Sequence, residues 1–340
     1  MAIPNSVATI GDYAFSHCEQ LVGITIPESI VSIGDGAFFF CTQSTNVDIG
    51  THVKKIGASA FNGCHSLPQI FIPSSVTNIG PDAFTDCLNL TDITVDPSNA
   101  NYSDVAGILF NKTKTLLIRC PIGKTGDYTI PTGVTNLATR AFSVCTNLTT
   151  VVMPDTLQTI STNAFKYCTG LTNITIGITV SNIRDEAFAY CTGLTNIVIP
   201  QSVTNIGFSA FIGCSNLKGM YFLGNTPGLG LSVFLGDNSL TIYYLPGAAG
   251  WGAPMFGSRP AFLWNPKIQT ADGSLGIGTN GFEFSIIGTT NIPIVVEVCS
   301  SLTNPIWSRL GSFLLTNGFA YFSDAMWTNY PARFYRITSP

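Results

Sequence analysis

One spacing governs this chain of 340 residues. Ile3, Ile26, Ile49 and Ile72 lie 23 residues apart, and after an interruption Ile130, Met153, Ile176 and Ile199 resume the interval. The unit reads I-P-x-S-V-T-x-I-G-x-x-A-F-x-x-C-x-x-L-T-x-I-x, in eight copies. A segment this short cannot enclose its own apolar residues. Only stacking successive units gives them a common core, so the period predicts a solenoid before any other feature is considered.

Each part of the unit has a physical reading. "LTDITV" at 90–95 alternates apolar and polar residues, as a short strand with one buried face does. The proline that often follows (Pro4, Pro27, Pro73, Pro131, Pro154, Pro200) has no N–H and ends the strand at a fixed place. "SVTNIG" is a second small segment that turns Val76 and Ile79 inward. Its closing Gly becomes Ala138, Ser161 and Arg184 in later copies, so the backbone there does not demand positive φ. "PDAFTDC" is an irregular or single-turn helical return, with Ala83 small and Phe84 large.

Two ladders follow from stacking. Phe15, Phe38, Phe61, Phe84, Phe142, Phe165, Phe188 and Phe211 form a spine of rings, each worth on the order of 1.5–3 kcal/mol if buried, before entropy is charged. Cys18, Cys41, Cys64, Cys87, Cys145, Cys168, Cys191 and Cys214 form the other. Stacked rungs lie only ~5 Å apart, but side chains related by translation point the same way rather than at each other. The reading is a row of buried free thiols, not disulfides, metal ligands or nucleophiles. Cys120 and Cys299 stand outside the row.

This strand, SVTNIG, Ala-Phe, Cys pattern resembles the BspA-type bacterial leucine-rich repeat over roughly residues 2–260. The resemblance implies a right-handed curved solenoid with a parallel sheet on its concave face. It also implies a secreted or surface-attached protein that binds other macromolecules, and it places the cysteine at the N/C position of the leucine-rich consensus. The fold class is thus mainly β with short helical or irregular returns, a leucine-rich-repeat solenoid carrying a small β-sandwich-like C-terminal domain.

The expected solenoid is residues 1–264, with a hairpin-like insertion at about 95–129 and an atypical terminal coil at 222–264 that loses the Ala-Phe-Cys signature. The insertion makes the Ile72 to Ile130 interval 58 residues, 35 more than a period. Its "GILF" and "TLLIRC" read as strands that add to the sheet without a full return. Residues 265–340 change texture to five or six strands separated by Gly, Asn and Pro, a C-terminal β-module. The chain opens inside a repeat without a cap or a leader-like run, so the first coil is expected to fray, to self-associate or to follow a missing upstream segment.

Chemistry is sparse. Net charge is −4 and the 15 Lys and Arg are scattered, which argues against a nucleic-acid partner. No run reaches the ~18–20 apolar residues that span a bilayer. His17, His52 and His65 show no paired metal spacing. "GIGTNG" at 276–281 fits G-x-G-x-x-G, but the "FEFSI" after it is a strand and offers no helix N-terminus to a pyrophosphate. The carboxylates are isolated, and a solenoid offers no closed pocket to perturb two of them. No catalytic residue, cofactor or metal is therefore expected.

The informative surface is the strand face. Between the buried positions of each coil, Thr25, Asp48, Phe71, Thr94, Arg119, Val152, Thr175, Val198 and Tyr221 are expected to point outward. Thr and Val there serve strand propensity. Phe71, Arg119 and Tyr221 are better explained as interface anchors, with Gln69, Asp92, Asn173 and Asn196 beside them. The leading expectation is a non-enzymatic binding or adhesion protein that recognises an unidentified protein partner on this face. The alternative is a carbohydrate-binding accessory or cell-surface scaffold protein in which Trp251, Trp264, Trp307 or Trp327 stacks on sugars.

Overall fold

Turns, rather than helices, return the chain in each repeat. The computed structural model describes residues 3–270 and 273–339. They fall into two compact units, Met1–Lys218 with Pro227–Leu240, and Gly219–Thr226 with Thr241–Pro340.

In the first unit the regular coils carry a longer and a shorter strand. The longer ones, among them Gly23–Thr25, Asn46–Asp48, Gln69–Ile72, Asp92–Val95, Leu148–Val152 and Asn173–Thr175, pair in parallel one coil apart, with Ile70 opposite Ile93 and Val151 opposite Ile174. The shorter ones are two residues each, as at Ser32–Ile33 and Lys55–Ile56, and also stack in parallel. The polar consensus positions hold neighbouring coils together. Ser75 and Ser202 donate to the carbonyls of Val53 and Val180 at 2.7 Å, and Thr91 and Thr172 to those of Pro68 and Thr149 at 3.1 Å.

The return is a run of tandem turns: the amides of Ala14, Ser16 and Cys18 donate three residues back to Gly11, Tyr13 and Phe15. Alternate amides also reach the next coil, Tyr13 to Asp35, Phe15 to Ala37 and His17 to Phe39, at 2.7–2.9 Å. This geometry needs two left-handed residues per return. They are Asp82 and Asp86 in one coil (φ 55° and 54°) and Arg140 and Val144 in another (60° and 66°). Most are not glycine, so each return holds strain that the ladder must offset. The Gly of SVTNIG is not among them.

The rings stack along the core at 4.8–6.0 Å and within 15° of parallel, from Phe15 to Phe84 and again from Phe142 to Phe211. Phe15 is half-buried and the others are buried. Seven ladder cysteines are buried and Cys18 is exposed; all are free thiols. Their role is visible in the bonding. The Sγ of Cys41, Cys87, Cys168, Cys191 and Cys214 donates to the carbonyl of the Phe 26 residues earlier, at 3.0–3.2 Å. Burial pushes the Cys41 thiol up to about 11 and that of Cys87 to about 12, which keeps both protonated and unreactive. Cys120 and Cys299 are buried as well.

A further coil continues the pattern. Gly228–Leu229 pairs with Asn205–Ile206, Phe234 lies 6.2 Å from Phe211, and Val233 replaces the small Ala. Of the Ala-Phe-Cys signature only the Phe is kept, with a buried Asp237 in the place of the thiol, while the geometry of the return continues.

The interruption does add a hairpin, but to the row of shorter strands. Tyr102–Val105 pairs antiparallel with Ile108–Asn111, which pairs antiparallel with Leu116–Arg119, and Leu116–Leu117 then runs parallel to Asn136–Leu137. The longer-strand row is continued by Gly126–Thr129 instead, parallel to Leu148–Val152. Asn99, fully buried, splices the segment in: its Nδ2 donates to Pro73 and Val76 carbonyls at 2.7 and 3.0 Å, and its Oδ1 accepts from the Asn101 and Tyr102 amides. Tyr102 Oη accepts the Ile79 amide at 2.9 Å.

In the second unit Gly219–Phe222, Thr241–Tyr244 and Arg259–Leu263 run in parallel. Two antiparallel sheets follow. Gly281–Ile287 pairs with Lys267–Ile268, Gly276–Gly278 and Phe319–Asp324, and Pro293–Cys299 with Ser308–Leu314 and Phe334–Thr338. Aromatic side chains join them: Phe282 stacks on Tyr335 at 5.1 Å and Phe322 meets Phe313 edge-on at 6.0 Å. "GIGTNG" is a hairpin, with Gly278 opposite Gly281.

Candidate functional site

The face of the longer strands in the first unit presents two outward rows. One runs through Thr25, Asp48, Phe71, Thr94, Val152, Thr175 and Val198, none of them buried. The other, two residues earlier, starts at Gly23 and continues through polar Asn46, Gln69, Asp92, Asp127, Thr150, Asn173 and Asn196. Strand pairing sets Gln69 beside Asp92, Phe71 beside Thr94, and Asp127 beside Thr150.

Phe71 is the outlier of this face. Its flanking residues Ile70 and Ile72 point into the core, so strand alternation forces the ring outward, where it is 50% exposed. Polar groups surround it: Gln69 on its own strand, Asp48 on the preceding coil, Asp92 and Thr94 on the next. Asp92 lies 3.6 Å from Lys124 Nζ, which also donates to the Ala106 carbonyl at 2.6 Å. Asp127 accepts from Thr149 Oγ1 at 2.7 Å, and threonine hydroxyls beside it hold its carboxyl below the usual range.

Two expected members of the face are elsewhere. Arg119 is buried (6% exposed) because it lies in the row of shorter strands, two residues after the core residue Leu117 and therefore on the same, inward side. Its Nη1 donates to the Arg140 carbonyl at 2.6 Å and its Nη2 faces that of Ser143 at 3.5 Å, while the Cys120 amide bonds to Ala141. In a regular coil, backbone amides of the preceding return serve the positions of Ala141 and Ser143. The guanidinium and Cys120 stand in for a return that the interruption lacks. Tyr221, in the second unit, is 3% exposed; its ring stacks on Tyr243 at 4.9 Å and meets the edge of Trp264, and burial raises its pKa.

The face thus gathers Gln69, Phe71 and Asp92 on adjacent strands, and Asn173 and Asn196 on a later pair, without Arg119 or Tyr221. Lys124 and Asp127 were missed. The signal lies in "GKTGDYTI", whose Tyr128 and Ile130, rather than residues of "TLLIRC", carry the alternation of this row. The four tryptophans differ in setting, with Trp327 half-buried and 6.3 Å from the Phe282 ring. Trp251 is buried under Tyr244 at 5.0 Å, Trp264 donates to the Pro293 carbonyl, and Trp307 faces the Arg336 guanidinium at 4.3 Å.

Comparison with known proteins agrees with this architecture. The model of the BspA type leucine rich repeat region matches residues 1–116 and 123–241, in 6 copies. The crystal structure of the pneumococcal vaccine antigen PcpA is similar with a TM-score of 0.64 at 22% identity, over 76% of this chain and 71% of that one. A leucine rich cell surface protein from Faecalibacterium prausnitzii gives 0.62 at 33% identity, over 70% of this chain and 63% of its own. A leucine-rich repeat protein from Bacteroides ovatus gives 0.50 at 25% identity, over 76% and 64%. This chain therefore spans less than two thirds of the latter two proteins. No protein of curated function matches it.

Proposed function

The chain belongs to the BspA-type leucine-rich repeat family, and from that premise we propose that it is a non-enzymatic binding protein of the bacterial surface or exterior whose longer-strand face holds a protein partner. The observation that carries the reading is the exposed ring of Phe71 on a rigid face ringed by Asp48, Gln69, Asp92 and Thr94. An aromatic anchor inside a polar rim is the arrangement that concentrates binding energy in protein interfaces. Its strand is held by parallel pairing with Asp92–Val95, which limits the ordering entropy lost on binding. The surface location is supported by the Faecalibacterium protein, described as a leucine rich cell surface protein.

The test is an array of extracellular proteins and glycans probed with the immobilised chain and with a Gln69→Ala, Phe71→Ala, Asp92→Ala variant. The reading predicts protein ligands whose affinity drops at least tenfold in the variant while its melting temperature stays unchanged. Ligands that bind both forms equally, or glycans alone, would contradict it.

A further inference from the structure

Where the interruption omits a return, the first unit contains a cavity of about 200 Å³, room for roughly seven waters. Ile79, Phe84, Leu109 and Ile118 give it mainly apolar walls, and the polar groups include Asp82 and Arg119. Asp82 is already engaged. Its Oδ2 takes the Arg140 guanidinium at 2.5 Å, in an ion pair that spans the interruption, and its Oδ1 accepts from Thr85.

Arg119 is different. More than nine-tenths buried, it spends Nη1 on the Arg140 carbonyl and faces that of Ser143 with Nη2, but among the described residues its Nε bonds to nothing and no carboxylate lies within ion-pairing distance. Carbonyls satisfy hydrogen bonds without neutralising charge. A buried cation without a counter-ion is costly, and the planar guanidinium fork matches the geometry of carboxylates and phosphates, of which a monocarboxylate brings the single charge that one guanidinium requires.

We infer that this cavity is a binding site for a small monocarboxylate with a short alkyl tail, its carboxylate facing Arg119 and its tail against Ile79, Phe84, Leu109 and Ile118. One uncompensated charge on the wall calls for one charge on the ligand, and the apolar walls call for the tail. The site is independent of the strand face and stands whether or not that face binds a protein.

The experiment is calorimetric titration and thermal melting of the full chain with sodium isobutyrate, against sodium chloride at matched ionic strength and against isobutyramide. The expected result is saturable binding of isobutyrate with a rise in melting temperature that neither control gives. Arg119→Met should remove that response. Because Arg119 also serves two carbonyls, this variant can fail to fold, so Ala138→Leu, which fills the cavity and leaves the guanidinium in place, is the second arm. It should weaken isobutyrate binding at least tenfold. An equal response to chloride or isobutyramide, or undiminished isobutyrate binding by Ala138→Leu, would overturn the inference.

Discussion

The regular coils and the interruption solve the same problem by different means. In a regular coil, the backbone and a few short side chains bond to the same positions 22–26 residues away, and one solution is copied along the stack. In residues 95–129 translation fails, and single side chains take over. Asn99 supplies two donors and accepts two amides, Tyr102 accepts the Ile79 amide, and Arg119 serves carbonyls of the next return. A repeated part can spread its stability over many small terms. A splice concentrates it in a few residues.

That contrast can be probed in order of expected effect. In the regular stack, Phe165→Ala removes a fully buried ring held between two others and should cost about 3–5 kcal/mol by denaturant unfolding. Asn99→Ala should cost about 3 kcal/mol although it deletes only a small amide, because the carbonyls and amides it serves lose their partners. A loss under 1 kcal/mol would mean that the splice is not concentrated.

Alkaline pH should act on both regions alike. Burial raises the folded-state thiols of Cys41, Cys87 and Cys120 above their ordinary value of 9.0, so the folded chain holds these protons more tightly than the unfolded one. The resulting stabilisation is full below pH 9 and is lost as pH rises through about 11 for Cys41 and about 12 for Cys87. Unfolding free energies at pH 8, 10 and 11 should fall along this window. Cys87→Ala and Cys120→Ala should each flatten the fall, and a pH-independent wild type would contradict the burial of the ladder.

The smallest effect is a gain. Val144, β-branched and at φ 66°, opens the regular returns after the interruption, and Val144→Gly should stabilise the chain by about 1 kcal/mol. A loss of stability would show that the packing of the side chain outweighs its strain.

The same contrast explains what could be read in the sequence. Period, strand, proline stop and both ladders were legible because each is stated six to eight times, and a copied position reports its environment by repetition. The hydrogen bond from most of the ladder thiols to a Phe carbonyl was legible only as a preference for a small, weakly polar group. Arg119 was misplaced because it occurs once. "LLIR" alternates correctly, but nothing in it says which of two strand rows it joins, and that choice decides whether Arg119 faces water or core. Tyr221 failed for a related reason: in Gly219–Phe222 all four residues are buried, so alternation no longer separates inside from outside. Phe234 and Asp237 were overlooked because Val and Asp replaced the letters of the pattern while keeping its geometry.

Both the strand face and the cavity require the interruption to be a rigid part of the ladder rather than a loose insert. Native-state hydrogen exchange tests this most directly, through the amides of Cys120, bonded to Ala141, and Phe142, bonded to Ala164. The account predicts that both exchange only through the same global opening, with equal free energies and equal denaturant dependence. Exchange of Cys120 and its neighbours at a much lower free energy, while Phe142 stays protected, would contradict it.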